Sequence, residues 1–152
     1  MKMELTFTCN CASRDELSQH LKECDLAFSA PLSERVDIIS YAQKLHENAI
    51  CFEAWQGEVL VGLVGIYCQP ASEMAFISNV SVLPAHHRQG IGGVLLEKSI
   101  GYARQQGVFS VKLEVEAKNQ PAIALYTKYG FSSEKNTEEI TTMLLIIQEL
   151  CR

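Results

Sequence analysis

The residues of this chain best suited to chemistry stand together in one short segment, His87-Arg88-Gln89-Gly90-Ile91-Gly92-Gly93. It lies between a strand-like run ending near Val82 and a helix-like run opening at Ile91. The first backbone N–H groups of a helix have no partner within it, and with the helix dipole they form a site for an anion. Glycines let the main chain approach that anion and adopt dihedrals closed to other residues. His86, His87 and Arg88 add donors and positive character to a chain whose formal charge is −5. The segment therefore reads as a phosphate cradle.

Two other phosphate-binding patterns fail on spacing. The Walker loop requires GxxxxGK followed by Ser or Thr, which is absent, and the dinucleotide pattern GxGxxG would need a glycine where Leu95 stands. A glycine-rich turn that serves close packing is the plain alternative.

The six cysteines, Cys9, Cys11, Cys24, Cys51, Cys68 and Cys151, contain no CxxC pair and no histidine at zinc-finger spacing. They read as reduced thiols, with Cys9-Asn10-Cys11 an incidental pair at a strand end, and no metal is assigned.

The elements that must position the cradle follow from periodicity. Residues 4–8 alternate as a strand, and Ser13 caps a helix running to about Cys24. Pro31 and Ser33 are expected to open a second helix, with Ile38, Ala42, Leu45 and Ala49 on one buried stripe and an end near Asn48. Residues 50–55 and 59–68 are strand-like, and Gln56-Gly57-Glu58 between them is short enough only for a hairpin. A third consecutive strand, Met74 to Val82, is stopped by Pro84.

After the cradle, Ile91, Val94, Leu95, Ile100 and Ala103 mark one face of a helix that Gly107 ends. Val111, Leu113 and Val115 then alternate with Lys112, Glu114 and Glu116. A right-handed crossover through that helix sets the strand at Val111 parallel to the one at Val80. A short helix from Gln120 to Tyr129 ends at Gly130, Phe131 to Glu134 is extended, the polar stretch Ser132 to Thr142 is a loop candidate, and Met143 to Leu150 forms a last strand. The fold class is α+β, a mostly antiparallel sheet with one parallel pair and flanking helices.

A length of 152 residues suits one domain, which can bury roughly 70% of the unfolded chain's surface without disulfides or a metal. With 13 Lys and Arg against 18 Asp and Glu, the charge argues against a nucleic-acid-tracking surface. No run approaches ~18 consecutive apolar residues and the first residues turn polar early, so neither membrane span nor signal peptide is expected, and the location reads as cytoplasmic.

Two blocks carry a specific resemblance. Asn79-Val80-Ser81-Val82-Leu83-Pro84 followed by Arg88-Gln89-Gly90-Ile91-Gly92 resembles the acyl-CoA-binding motif of the GNAT N-acetyltransferase superfamily. Asn119 with Ala122-Ile123-Ala124-Leu125-Tyr126 and Gly130-Phe131 is similar to that family's cofactor-contacting Asn, its Leu-Tyr pair and its Gly-Phe strand entry. The likeness runs from about Ala75 to Phe131. It implies a single domain over 1–152, with about 1–68 as a variable substrate half and about 73–131 as the acyl-CoA-binding core.

The resemblance implies acetyl-CoA as cosubstrate, its pyrophosphate on His87, Arg88, Gln89, Gly90, Gly92 and Gly93, its pantetheine arm and thioester on the main chain of Val80 and Val82, and Asn119 as a further contact. The family's loop opens with Gln or Arg where this chain has His87, and Arg88 beside it offers a cation in compensation. Tyr126 matches the family's general acid, which protonates the departing thiolate, and packing in the core is its structural alternative. The position where histone acetyltransferases of the family carry a base Glu falls on Phe76, which takes no proton. Glu73 and Glu114 are the base candidates kept from the strand ends, Glu116 being a further neighbour, and a water relay is their alternative.

The implied activity is transfer of an acetyl group to the primary amine of a small-molecule acceptor, by a monomer or homodimer without nucleic-acid or membrane partners. The alternative is a non-catalytic acyl-CoA-binding or sensor module. No residue cluster in the first 68 positions identifies an acceptor, and Trp55, Tyr41, Tyr67 and Phe28 to Arg35 are its notable residues.

Overall fold

The computed structural model describes residues 4–25, 32–34 and 36–147. Phe28, Pro31, Arg35 and Cys151, and the expected continuation of the last strand to Leu150, lie outside the described residues. Strands β1 (Leu5–Cys9), β2 (Ile50–Gln56), β3 (Val59–Tyr67), β4 (Met74–Val82), β5 (Ser110–Glu116), β6 (Ser132–Asn136) and β7 (Ile140–Ile146) form one sheet in the order β1-β2-β3-β4-β5-β7-β6. The helices are α1 (Arg14–Asp25), α2 (Ile38–Asn48), α3 (Ile91–Gln105) and α4 (Gln120–Lys128). The crossover through α3 makes β4 and β5 parallel, the chirality expected of such a connection placing the helix against the sheet.

By contacts the chain divides into two compact units. One holds the described residues up to Gly65 together with Asn79–Leu96, and the other Ile66–Ser78 together with the described residues from Glu97 onward.

In the first unit, α1 begins in a capping box. Ser13 Oγ accepts from Glu16 N at 3.1 Å, and Glu16 Oε1 accepts from Ser13 N at 2.8 Å. The second helix does not begin at Pro31 and Ser33 as expected. Residues 32–34 form a 3-10 turn, and α2 starts after Asp37, whose Oδ2 accepts from Ser40 N at 3.1 Å and Ser40 Oγ at 2.7 Å. Of two competing caps, the one followed at once by the buried stripe Ile38, Ala42 and Leu45 prevails.

Helix α2 and the start of α3 pack on β3, which glycine keeps thin. A Cβ on Gly62 would come within 2.6 Å of Ile91 Cγ2, and one on Gly65 within 2.9 Å of Leu45 Cδ2. The fully buried Glu53 of β2 is satisfied by Thr8 Oγ1 at 2.7 Å and by the amides of Cys11 and Ala12 at 2.9 Å each, so one carboxylate pins the turn from β1 into α1. Trp55 Nε1 donates to the same Thr8 Oγ1 at 2.7 Å, which binds the indole to the β1–β2 pair.

In the second unit, β5 pairs with β7 along its whole length, and β6 closes the edge. The polar stretch expected as a loop is instead a hairpin, with β6 exposed at every residue and β7 starting at Ile140 rather than Met143. Backbone pairing to β7 holds this strand, so it needs no apolar alternation, and a Lys112–Glu134 ion pair at 3.2 Å lies on the surface. A smaller correction concerns packing. Val94 is exposed where burial was expected, whereas Leu96 is buried. The expected parallel pair is present, its register running from Met74↔Ser110 to Ile77↔Leu113.

Candidate active site

The cradle belongs to the first unit. After β4, Leu83 N bonds Val61 O at 2.9 Å, and a 3-10 turn over Pro84–His86 reverses the chain. Arg88 and Gly90 then take φ of 69° and 78°, left-handed values flanking Gln89. For Arg88 this is a strained choice of the kind found at binding loops. A Cβ on Gly90 would meet nothing within 4 Å, so its glycine serves the backbone conformation rather than packing. The helical ladder opens with Val94 N to Gly90 O at 3.1 Å, which leaves the amides of Ile91, Gly92 and Gly93 ahead of it. Open space, left-handed turns and leading amides form a nest that fits a pyrophosphate.

The two histidines turn back onto the protein. Val82 O can only accept, so His87 Nε2 donates to it at 2.9 Å, and the Gln56 amide oxygen likewise takes the His86 Nε2 proton at 2.9 Å. Their rings therefore brace the end of β4 and the turn, and Arg88 is the exposed cation of the segment. Val80 and Val82 are half-buried and share one side of β4, whereas Asn79 and Ser81 on the other side are buried and hydrogen-bonded. Those two polar residues were missed from the sequence, although they fall in phase with buried Ala75 and Ile77.

The remaining candidates belong to the second unit. Asn119 caps α4, its Oδ1 accepting from Ala122 N at 3.2 Å, and its amide donates to Glu116 O at 2.9 Å. That bond ties the start of α4 to the end of β5. Glu114 is exposed two residues from that end, while Glu73 is exposed at the opposite end of β5, where its carbonyl accepts from Ser110 N at 3.0 Å. The two carboxylates are thus kept apart by the length of a strand.

Tyr126 is buried and packs edge-on against Phe131, with centroids 6.0 Å apart and planes at 62°. Burial alone pushes its phenol up to about 12. The hydroxyl thus stays protonated across the working range, a proton or hydrogen-bond donor rather than a base. Tyr129 is only half-buried, with Lys128 Nζ 6.0 Å from its ring centre.

Among the described residues no three His, Cys, Asp or Glu are grouped as metal ligands, and no helix is long and apolar enough to cross a membrane. The Acetyltransferase (GNAT) family model matches residues 14–131. The [Ribosomal protein bS18]-alanine N-acetyltransferase of Escherichia coli (strain K12) is 33% identical over 113 residues, covering 74% of this chain and 71% of that protein. The crystal structure of that Escherichia coli enzyme superposes with a TM-score of 0.78 at 23% identity, covering 97% of each chain. Streptothricin acetyltransferase of Streptomyces lavendulae is 33% identical over 73 residues, 48% of this chain and 39% of that protein. The PaiA N-acetyltransferase of Thermoplasma acidophilum, solved in complex with coenzyme A, gives a TM-score of 0.74 at 16% identity, covering 95% of this chain and all of that one. The chain belongs to the GNAT acetyltransferase family and is an N-acetyltransferase that takes its acetyl group from acetyl-CoA.

Proposed function

We propose that this enzyme acetylates the free α-amine at the N-terminus of a protein or peptide, by direct transfer from acetyl-CoA. The observation that carries this reading is the extent of the likeness. The bS18-alanine enzyme matches over about three quarters of this chain, whereas the streptothricin enzyme matches under half of it. Alanine has no side-chain amine, so an alanine acetylated on nitrogen within a protein must present its terminal α-amine. This replaces the small-molecule acceptor expected from the sequence, which the shorter likeness still favours as a second reading.

The acid–base inventory supports an α-amine. Its pKa of about 7.7–8.0 leaves roughly one molecule in ten neutral at pH 7, against roughly one in a few thousand for lysine. With Phe76 at the position where the resemblance puts the base glutamate of histone acetyltransferases, the site suits the nucleophile that least needs a strong base. Glu114, at the Asn119 end of β5, is the better placed carboxylate to take the proton, directly or through water, and Glu73 is set aside. In the transfer the amine nitrogen bonds the acetyl carbon, the carbon–sulfur bond breaks, the amine gives up a proton and the sulfur gains one.

In this reading the amides of Gly90 to Gly93 and the Arg88 cation hold the pyrophosphate, with His87 bracing Val82. The main chain of Val80 and Val82 aligns the pantetheine arm, Asn119 adds a contact, and Tyr126 donates to the leaving sulfur. A single domain over 1–152 is kept, with about 1–68 supplying acceptor contacts and about 73–131 the acyl-CoA contacts. A cytoplasmic location fits the free thiols of Cys9, Cys11, Cys24, Cys51 and Cys68. The test is thiol release from acetyl-CoA with a panel of peptides bearing free N-termini, amino sugars and polyamines. Turnover confined to the peptides is expected, and turnover confined to an amino sugar or polyamine overturns the assignment.

A further inference from the structure

The buried side of β4 changes character along the strand. Ala75 and Ile77 are apolar, but Asn79 and Ser81, in the same phase and with 9% and 4% exposure, are polar. This change coincides with Val80 and Val82 on the strand's other side. Alternation on a buried face asks for apolar residues there, so the departure needs a partner and a reason.

The partner is His20 of α1, 2% exposed. Its Nδ1 is 3.0 Å from Leu60 O and its Nε2 is 2.9 Å from Ser81 Oγ, which in turn lies 2.7 Å from the Asn79 side-chain amide. A carbonyl only accepts, so Nδ1 carries a proton. Burial lowers the pKa of the ring, which favours the neutral form with a bare Nε2. The Ser81 hydroxyl donates to Asn79 Oδ1 at 2.7 Å and lies 2.9 Å from Nε2, so it links the ring to Asn79. The Cys24 thiol, pushed up to about 12 by burial and so protonated, is a donor at 3.5 Å from the same nitrogen. One imidazole thereby joins α1, β3 and β4, and its anchor Leu60 is the neighbour of Val61, whose carbonyl takes the Leu83 amide.

We infer that His20 is a positioning residue for the acyl-CoA strand, fixing through Ser81 the rotation of β4 at residues 79–82 and hence the direction in which Val80 and Val82 present their main-chain groups. The inference rests on Val80 and Val82 holding the pantetheine arm. A satisfied buried polar network specifies one geometry where an apolar cluster of the same volume tolerates several. The α1 helix lies in the half assigned to the acceptor, so His20 also joins that half to the cofactor strand.

The experiment compares two probes by calorimetry. Acetyl-CoA carries the pantetheine arm, and adenosine 3′-phosphate 5′-diphosphate carries only the pyrophosphate part that the cradle grips. Ser81→Ala and His20→Leu are expected to weaken acetyl-CoA ~10-fold while leaving the nucleotide within about twofold. His20→Gln, which keeps an acceptor near the position of Nε2, is expected to stay near wild type. Loss of both probes in parallel, or unchanged acetyl-CoA affinity in folded Ser81→Ala protein, overturns the positioning role. Ser81→Ala removes only a hydroxyl and decides the matter if His20→Leu fails to fold. Wild-type protein that binds the nucleotide and acetyl-CoA equally well sinks the underlying assignment of Val80 and Val82 instead.

Discussion

The cradle after β4 and the segment from Glu114 to Phe131 differ in what they offer. The first presents main chain, amides ahead of α3 with left-handed residues at Arg88 and Gly90. The second presents side chains, the buried Tyr126 phenol and the Glu114 carboxylate in solvent. Main-chain chemistry restricts which residues can stand at each position, because a left-handed φ or a close anion excludes most side chains. Side-chain chemistry on a strand or helix leaves no such mark, since alternation alone puts glutamates on an exposed face and tyrosines in a core.

That contrast can be broken most strongly at the cradle. Gly92→Glu places a side chain and a negative charge where the proposed site holds the pyrophosphate, and acetyl-CoA affinity should fall by at least ~100-fold with the fold retained. Calorimetry with a circular-dichroism melt checks this, and unchanged affinity in folded protein would mark the loop as structural only. Tyr126→Phe removes one oxygen and keeps the ring against Phe131. Turnover should drop ~10- to 1000-fold at nearly unchanged acetyl-CoA affinity and thermal midpoint. Wild-type turnover with chemistry shown to be limiting would return Tyr126 to the core.

A smaller effect separates the two carboxylates. Glu114→Gln should lower kcat/KM ~10-fold, with the loss greatest at low pH where fewer acceptor amines are neutral, and Glu73→Gln should stay within about twofold. The reverse order would move the base to the other end of β5. The smallest effect is on stability. Burial lowers the pKa of His20, with Glu23 opposing and the protonated Cys24 thiol adjacent, so the unfolded chain takes up this proton before the folded one does. As pH falls below about 6.5, wild type should therefore lose thermal stability that His20→Gln retains. Parallel melting curves across that range would show that His20 is charged in the fold.

Most of the architecture was legible from the sequence because its signals are local. The Ser13 cap, the β2–β3 hairpin at Gly57, the strand ending before Pro84 and the crossover to β5 each rest on a few neighbouring residues. The β6–β7 hairpin was legible only at its start, Phe131 to Glu134, because an exposed edge held by backbone pairing has no apolar pattern to betray the rest. The buried networks were not legible. Glu53 reaches amides more than 40 positions away, and His20 reaches Leu60 and Ser81 at separations of 40 and 61. Such partners are chosen by tertiary packing, and in the sequence they are isolated polar residues in apolar company. Within the site, left-handed turns at Arg88 and Gly90 fall in the segment whose glycines were read, while the rings of His86 and His87 bond Gln56 and Val82.

The account is tested most directly by where the acetyl group lands. A peptide beginning with a free alanine and carrying an internal lysine offers both amines to the enzyme at equal concentration, and mass-spectrometric fragmentation of the product assigns the acetyl group to one of them. The account predicts acetylation of the alanine α-amine with the lysine untouched, lost in Tyr126→Phe and Gly92→Glu proteins. Acetylated lysine beside a free N-terminus would contradict it.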